Sequence, residues 1–133
     1  MTSKVTYVGN LRTTSIHSQS GIEIVSDAPI DNNGKGAAFS PTDTVANALA
    51  SCMFTVMGIK AETMQIDCSG STAEVTKVMG TDPRRITEIH VVFNMAIATD
   101  QKTKNILENT AMTCPVFHSL HPEIDKRIVF NWK

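Results

Sequence analysis

Three cysteines offer most of the chemistry this sequence could perform: Cys52, Cys68 and Cys114. An odd number cannot all pair within one chain, and none belongs to a Cys-x-x-Cys pair, so any disulfide is expected to be transient and functional. Each cysteine is therefore a reactive thiol, a metal ligand or a small buried hydrophobe. Cys52 lies in Ala48-Leu49-Ala50-Ser51-Cys52-Met53-Phe54, amid the most apolar stretch of the chain. A nucleophile there needs a cation from elsewhere, because the thiolate is the reactive form and the middle of a helix gives no dipole assistance. Cys114 directly precedes Pro115, so it falls at a helix N-cap, where unpaired backbone N–H groups favour a thiolate. Cys68 follows Ile66-Asp67 with nothing nearby to activate it, and reads as structural.

Two further sets of residues are candidates. Cys114, His118 and His121 fall at i, i+4 and i+7, one face of a continuous helix, which is a metal-binding spacing. A zinc site would still need a fourth ligand from Cys52 or Cys68, so ordinary boundary histidines are the preferred reading and no metal or other cofactor is assigned. Arg12, in Gly9-Asn10-Leu11-Arg12, is the one arginine before the apolar stretch. It is either the missing cation or a solvated loop residue.

The elements that must position these groups can be read from the pattern. Lys4–Val8 and Gly21–Val25 read as short strands on either side of a polar stretch, 9–20. A turn-rich segment, 26–37, follows. Ser40-Pro41-Thr42-Asp43 is a helix start, with Ser40 as cap, Pro41 at the first helical position and Asp43 near the positive end of the dipole. The helix should run to about Thr63, apolar on nearly every side and so buried on most of them. A strand over 69–79 and a turn at 80–83 come next. Then Ile89, Val91, Phe93, Met95 and Ile97 alternate at the strand period of two. Asp100 caps a helix to about Met112, a short helix restarts at Cys114-Pro115, and Ile128, Phe130 and Trp132 alternate in a last strand. This is an α+β pattern in a single domain, 1–133. Its central helix needs cover that suggests an intertwined dimer.

Composition narrows the class. The chain has 133 residues, is 41% hydrophobic and carries a formal charge of −1. That is the size of one domain with a real core, and no basic patch points to nucleic acid. The first ten residues hold no apolar run of signal length, and the stretch 45–59, interrupted by Asn47, Ser51 and Thr55, falls short of a membrane span. The expectation is a soluble, cytoplasmic protein.

Ser40-Pro41-Thr42-Asp43 followed by Ala48-Leu49-Ala50-Ser51-Cys52 resembles the first signature of the OsmC/Ohr family, a Ser-Pro-x-Glu-Leu…Ala-x-x-Ser-Cys helix. Thr113-Cys114-Pro115-Val116 with Leu120 is similar to its second, and Pro83-Arg84-Arg85-Ile86 leading into Ile89–Phe93 to the strand between them. The resemblance spans essentially the whole chain. It implies antiparallel sheets around a long buried helix, in an intertwined homodimer with active sites at the subunit interface. It also implies thiol-dependent reduction of hydroperoxides, often organic ones. Cys52 then matches the peroxidatic position and Cys114 the resolving one, with an external dithiol reducing their disulfide. Arg12 matches the activating arginine. Where the Ohr branch has its glutamate this chain has Thr42, and the nearest acid, Asp43, is the candidate for that role. The chain thus looks closer to the broader OsmC-like branch. The alternative is a stress-associated binding module that keeps the scaffold without efficient peroxidase activity.

Overall fold

The computed structural model describes all residues, Met1–Lys133. The chain forms two compact units, Met1–Val45 and Ala46–Lys133. The first holds a meander of three antiparallel strands, β1 (Ser3–Gly9), β2 (Arg12–His17) and β3 (Glu23–Asp27). The expected strands at either end are present. The stretch 9–20, expected to be non-strand, contains the central strand. Its Arg12-Thr13-Thr14-Ser15-Ile16-His17 lacks apolar alternation, so only its β-branched threonines hint at an extended backbone. The β1–β2 turn places Asn10 and Leu11 at φ 53° and 62°. This left-handed pair gives the twist a two-residue hairpin needs, although leucine adopts it at some cost. The Ala28 N–H donates to the Leu11 carbonyl at 3.1 Å, which ties the turn to the segment after β3.

The helix α1 runs Pro41–Thr63, as its sequence signals predict. Ser40 and Asp43 form a reciprocal cap: the Asp43 N–H donates to Ser40 Oγ at 3.0 Å, and the Ser40 N–H donates to Asp43 Oδ2 at 2.9 Å. This is the capping-box arrangement with aspartate in place of glutamate. The far end closes with Gln65 at φ 57°. There the Ile66 N–H reaches the Ala61 carbonyl and the Gln65 N–H the Glu62 carbonyl, the two bonds of a Schellman cap.

All-round burial of α1 does not hold within one chain. Ala46, Leu49, Ala50, Met53, Met57 and Ala61 form one buried face. Thr44, Asn47, Ser51 and Thr55, three or four residues apart, form an exposed polar stripe. Val45 and Ile59 are exposed as well. The expectation that this stretch is too short and too polar for a membrane also fails on length and composition. As a helix it is 23 residues long with a window of mean hydropathy 1.3. That test rests on length and composition only, and one face of α1 packs into the core of the second unit.

The second unit continues with β4 (Thr72–Gly80), β5 (Arg85–Met95), α2 (Gln101–Ala111), α3 (Pro115–Ser119) and β6 (Asp125–Trp132). The β4 and β5 strands pair antiparallel, but β5 and β6 run parallel. The all-antiparallel arrangement is corrected here for a topological reason. Two helices separate β5 from β6, and a crossover of that length brings the chain back in the same direction. Ile89, Val91, Phe93 and Met95 of β5 are buried, and alternate residues of β4 and β6 flank them on the same face. Phe93 is the hub. Phe54 of α1 meets its ring edge-on at 4.8 Å and Phe130 of β6 stacks on it at 4.9 Å. Asp100 caps α2, accepting from the Thr103 N–H at 2.7 Å.

Candidate active site

Packing of α1 and α3 in the second unit decides where the sulfurs lie. Cys52 sits at the border of the buried face of α1, next to Met53 and beside the polar stripe, and is half-buried. Cys114 is the N-cap of α3 and fully buried, and its Sγ accepts the Phe117 N–H at 3.2 Å. The two side chains lie near enough for Cys52 to influence the Cys114 thiol, and both pack against the same core, although they come from elements far apart in sequence. Both are free thiols. The earlier cysteine in the chain is thus the more accessible of the two.

The electrostatics of Cys114 reverse the simple helix-cap expectation. The Phe117 N–H does favour its thiolate, but burial outweighs that contact and pushes the thiol up, with the neighbouring Cys52 acting in the same direction. Cys114 therefore favours its protonated form. Cys68 is also half-buried and also pushed up, by burial first and by the neighbouring Asp67 second. It lines a shallow recess of about 230 Å³ with Phe54, Gly58 and Ile66.

In the first unit, Arg12 is gripped by a residue that the sequence did not single out. Its Nε–H donates to Asp27 Oδ1 at 2.7 Å and its Nη2–H to Oδ2 at 2.8 Å. The two residues face each other in the β2–β3 register. Hydrogen bonding from Arg12 holds the Asp27 carboxyl below its ordinary value against the opposing effect of burial. The only sequence signal for this pair was an acid at the end of an apolar strand, and it means nothing until β2 is recognised as that strand's partner. Asp43 is engaged in the α1 cap described above.

The metal-binding face does not form. The helix α3 ends at Ser119, so His121 lies beyond it, where its Nδ1 accepts the Glu123 N–H. His118 packs edge-on against Phe117. No group of three or more His, Cys, Asp or Glu side chains is close enough to share a metal ion.

This fold has clear relatives. The family model for OsmC-like protein matches residues 34–128, and the chain belongs to the OsmC/Ohr family. A protein of Psychrobacter arcticus 273-4, provisionally named an osmotic stress induced and detoxification response protein, is 56% identical. The match covers 98% of this chain and 96% of that one, with a TM-score of 0.96. An organic hydroperoxide resistance protein of Legionella pneumophila shares the fold at 14% identity and TM-score 0.76, covering 98% and 97% of the two chains. OhrB of Bacillus subtilis, also an organic hydroperoxide resistance protein, does so at 18% identity and TM-score 0.72, covering 98% of each chain. No curated protein matches the sequence.

Proposed function

We propose that this protein is a thiol-dependent hydroperoxide reductase with a role in stress or detoxification. The observation that carries the reading is the proximity of Cys52 to the buried Cys114. Membership of the OsmC/Ohr family and the names of its hydroperoxide-resistance neighbours support it.

The chemistry runs in two steps. The Cys52 thiolate attacks the terminal oxygen of a hydroperoxide. The S–O bond forms, the O–O bond breaks, and the alcohol leaves after taking up a proton. Cys52 is now a sulfenic acid. Cys114 then attacks that sulfur; the S–S bond forms and water leaves with the thiol proton. An external dithiol reduces the disulfide and resets the enzyme. Arg12 is the cation that stabilises the thiolate and the developing oxyanion. The raised pKa of Cys114 makes it the poorer candidate for the first attack, and the partial exposure of Cys52 suits that step.

Both units form one OsmC-like domain in this reading; the family model runs from residue 34, after the first sheet, to residue 128 in the second unit. The working form is a cytoplasmic homodimer. Val5, Tyr7 and Ile24 share one face of the first sheet and are all exposed, which supports a second copy as their cover. Light scattering that gives a monomer mass would remove the dimer.

The test of the reaction is a thiol count after one equivalent of cumene hydroperoxide. Two of the three thiols should be lost, with a Cys52–Cys114 link in the peptide map and Cys68 untouched. Retention of all three would favour the binding-module alternative, to which the engagement of Asp43 in a helix cap lends some weight.

A further inference from the structure

The Arg12–Asp27 pair is more elaborate than a surface ion pair needs to be. The Asp27 side chain is only 6% exposed, whereas that of Arg12 is 45% exposed. The Asp27 N–H donates to the Phe39 carbonyl at 3.1 Å, and the next residue donates to Leu11, so the backbone behind the carboxylate is fixed on both sides. A guanidinium has five N–H donors in a rigid plane. The fork on Asp27 uses Nε and one N–H of Nη2, which leaves the Nη1 edge to donate to an anion. Arg12 and Asp27 also line an open recess of about 210 Å³, together with Val8, Gly9, Asn10 and Lys35. A side chain with four rotatable bonds is thereby held in one orientation before any substrate arrives.

We propose that Asp27 is the positioning residue that aims the Arg12 guanidinium, the part that the family pattern gives to a carboxylate at the start of the long helix. The proposal rests on the reading of Arg12 as the cation serving the Cys52 thiolate. It differs from a purely electrostatic account in the sign of its effect. By charge alone, removing the Asp27 carboxylate leaves Arg12 uncompensated, strengthens its positive field and should speed reactions of a thiolate. By positioning, removing the carboxylate releases the guanidinium and slows them.

The experiment compares Asp27→Asn, Asp27→Glu, Arg12→Lys, Arg12→Ala and the Arg12→Ala/Asp27→Asn double variant. Two readouts are used: kcat/KM for cumene hydroperoxide, and the iodoacetamide alkylation rate of the Cys52 peptide at neutral pH. Asp27→Asn and Arg12→Lys should each lower both by about tenfold or more, the scale on which a misplaced catalytic group costs rate. Asp27→Glu should recover part of the loss. In the Arg12→Ala background the Asp27→Asn change should add nothing, because a residue acting through Arg12 has nothing left to act on. Full additivity, or an Asp27→Asn protein that alkylates as fast as the wild type or faster, would overturn the proposal. Should Asp27→Asn fail to fold, Arg12→Lys decides: it keeps the charge and loses the fork, and wild-type rates in it would also refute positioning. The alkylation readout needs no turnover. A wild-type protein that consumes no peroxide but shows the expected alkylation pattern would sink the peroxidase reading alone.

Discussion

Replacing Cys114 by serine and, separately, by alanine divides the two jobs of its sulfur. The sulfur is buried, accepts the Phe117 N–H that opens α3, and lies near Cys52. Alanine removes the acceptor and leaves that N–H without its cap partner, which costs about 1 kcal/mol. The lost sulfur volume in a closed site adds about another 1 kcal/mol, on the scale of one buried methylene. Serine keeps an acceptor for the Phe117 N–H and should cost less than about 1 kcal/mol because its hydroxyl is satisfied there. Urea unfolding should therefore rank wild type first, serine next and alanine last, with roughly 1 kcal/mol between the variants. A buried site that wanted only an apolar filler would rank alanine above serine. Chemically the two variants should agree. Each begins with two thiols, loses one to cumene hydroperoxide as Cys52 is oxidised, and forms no Cys52–Cys114 link. If alanine proves as stable as serine, the capping role of Cys114 is wrong. If either variant still loses two thiols, the resolving role is wrong.

Two further outcomes follow from the packing and the titrating groups. Phe93→Ala removes the ring that joins α1, β5 and β6, and should cost roughly 3–5 kcal/mol in denaturant unfolding; a loss under about 2 kcal/mol would mean that the core does not hinge on it. Melting temperature against pH should fall at both ends. Cys114 and Cys68 are held protonated by burial, so their contribution is complete below the unfolded thiol value of roughly 8.5 and declines as pH rises through the folded values. Asp27, Asp67 and Asp100 are held down by bonds from Arg12, Ser69 and Thr103, so theirs is present above roughly pH 4 and lost as pH falls through the folded values. Cys114→Ser should flatten the alkaline limb, and a melting temperature that climbs between pH 8 and 10 would contradict the thiol assignment.

The helices were legible because their signals are local. Ser40-Pro41, Asp100 and Cys114-Pro115 each mark a helix start within a few residues, and the structure begins α1, α2 and α3 at the residue after the predicted cap. The alternation of 89–95 likewise announced β5. What escaped depends on partners that are distant in the chain. The strand β2 is held by backbone bonds to β1 and β3, and its side chains carry almost no period. Asp27 fell within a segment expected to be turn, and its meaning depends on the register that sets it opposite Arg12. The direction of β6 follows from the length of the crossover. At Cys114 the sequence exposed the cap, whereas the depth of burial that outweighs it belongs to the packed core.

The parallel pairing of β5 with β6 also bears on how the chain reaches this state. The strand β5 can zip onto β4 through a tight turn, but its opposite edge stays open until two helices have formed and residues 125–132 return to it. During that interval the most apolar strand of the protein offers unpaired amides and carbonyls to any neighbouring nascent chain, which is the geometry that seeds aggregation. Closure of that edge is a non-local event. It makes the last strand the guardian of solubility during folding as much as a wall of the finished core.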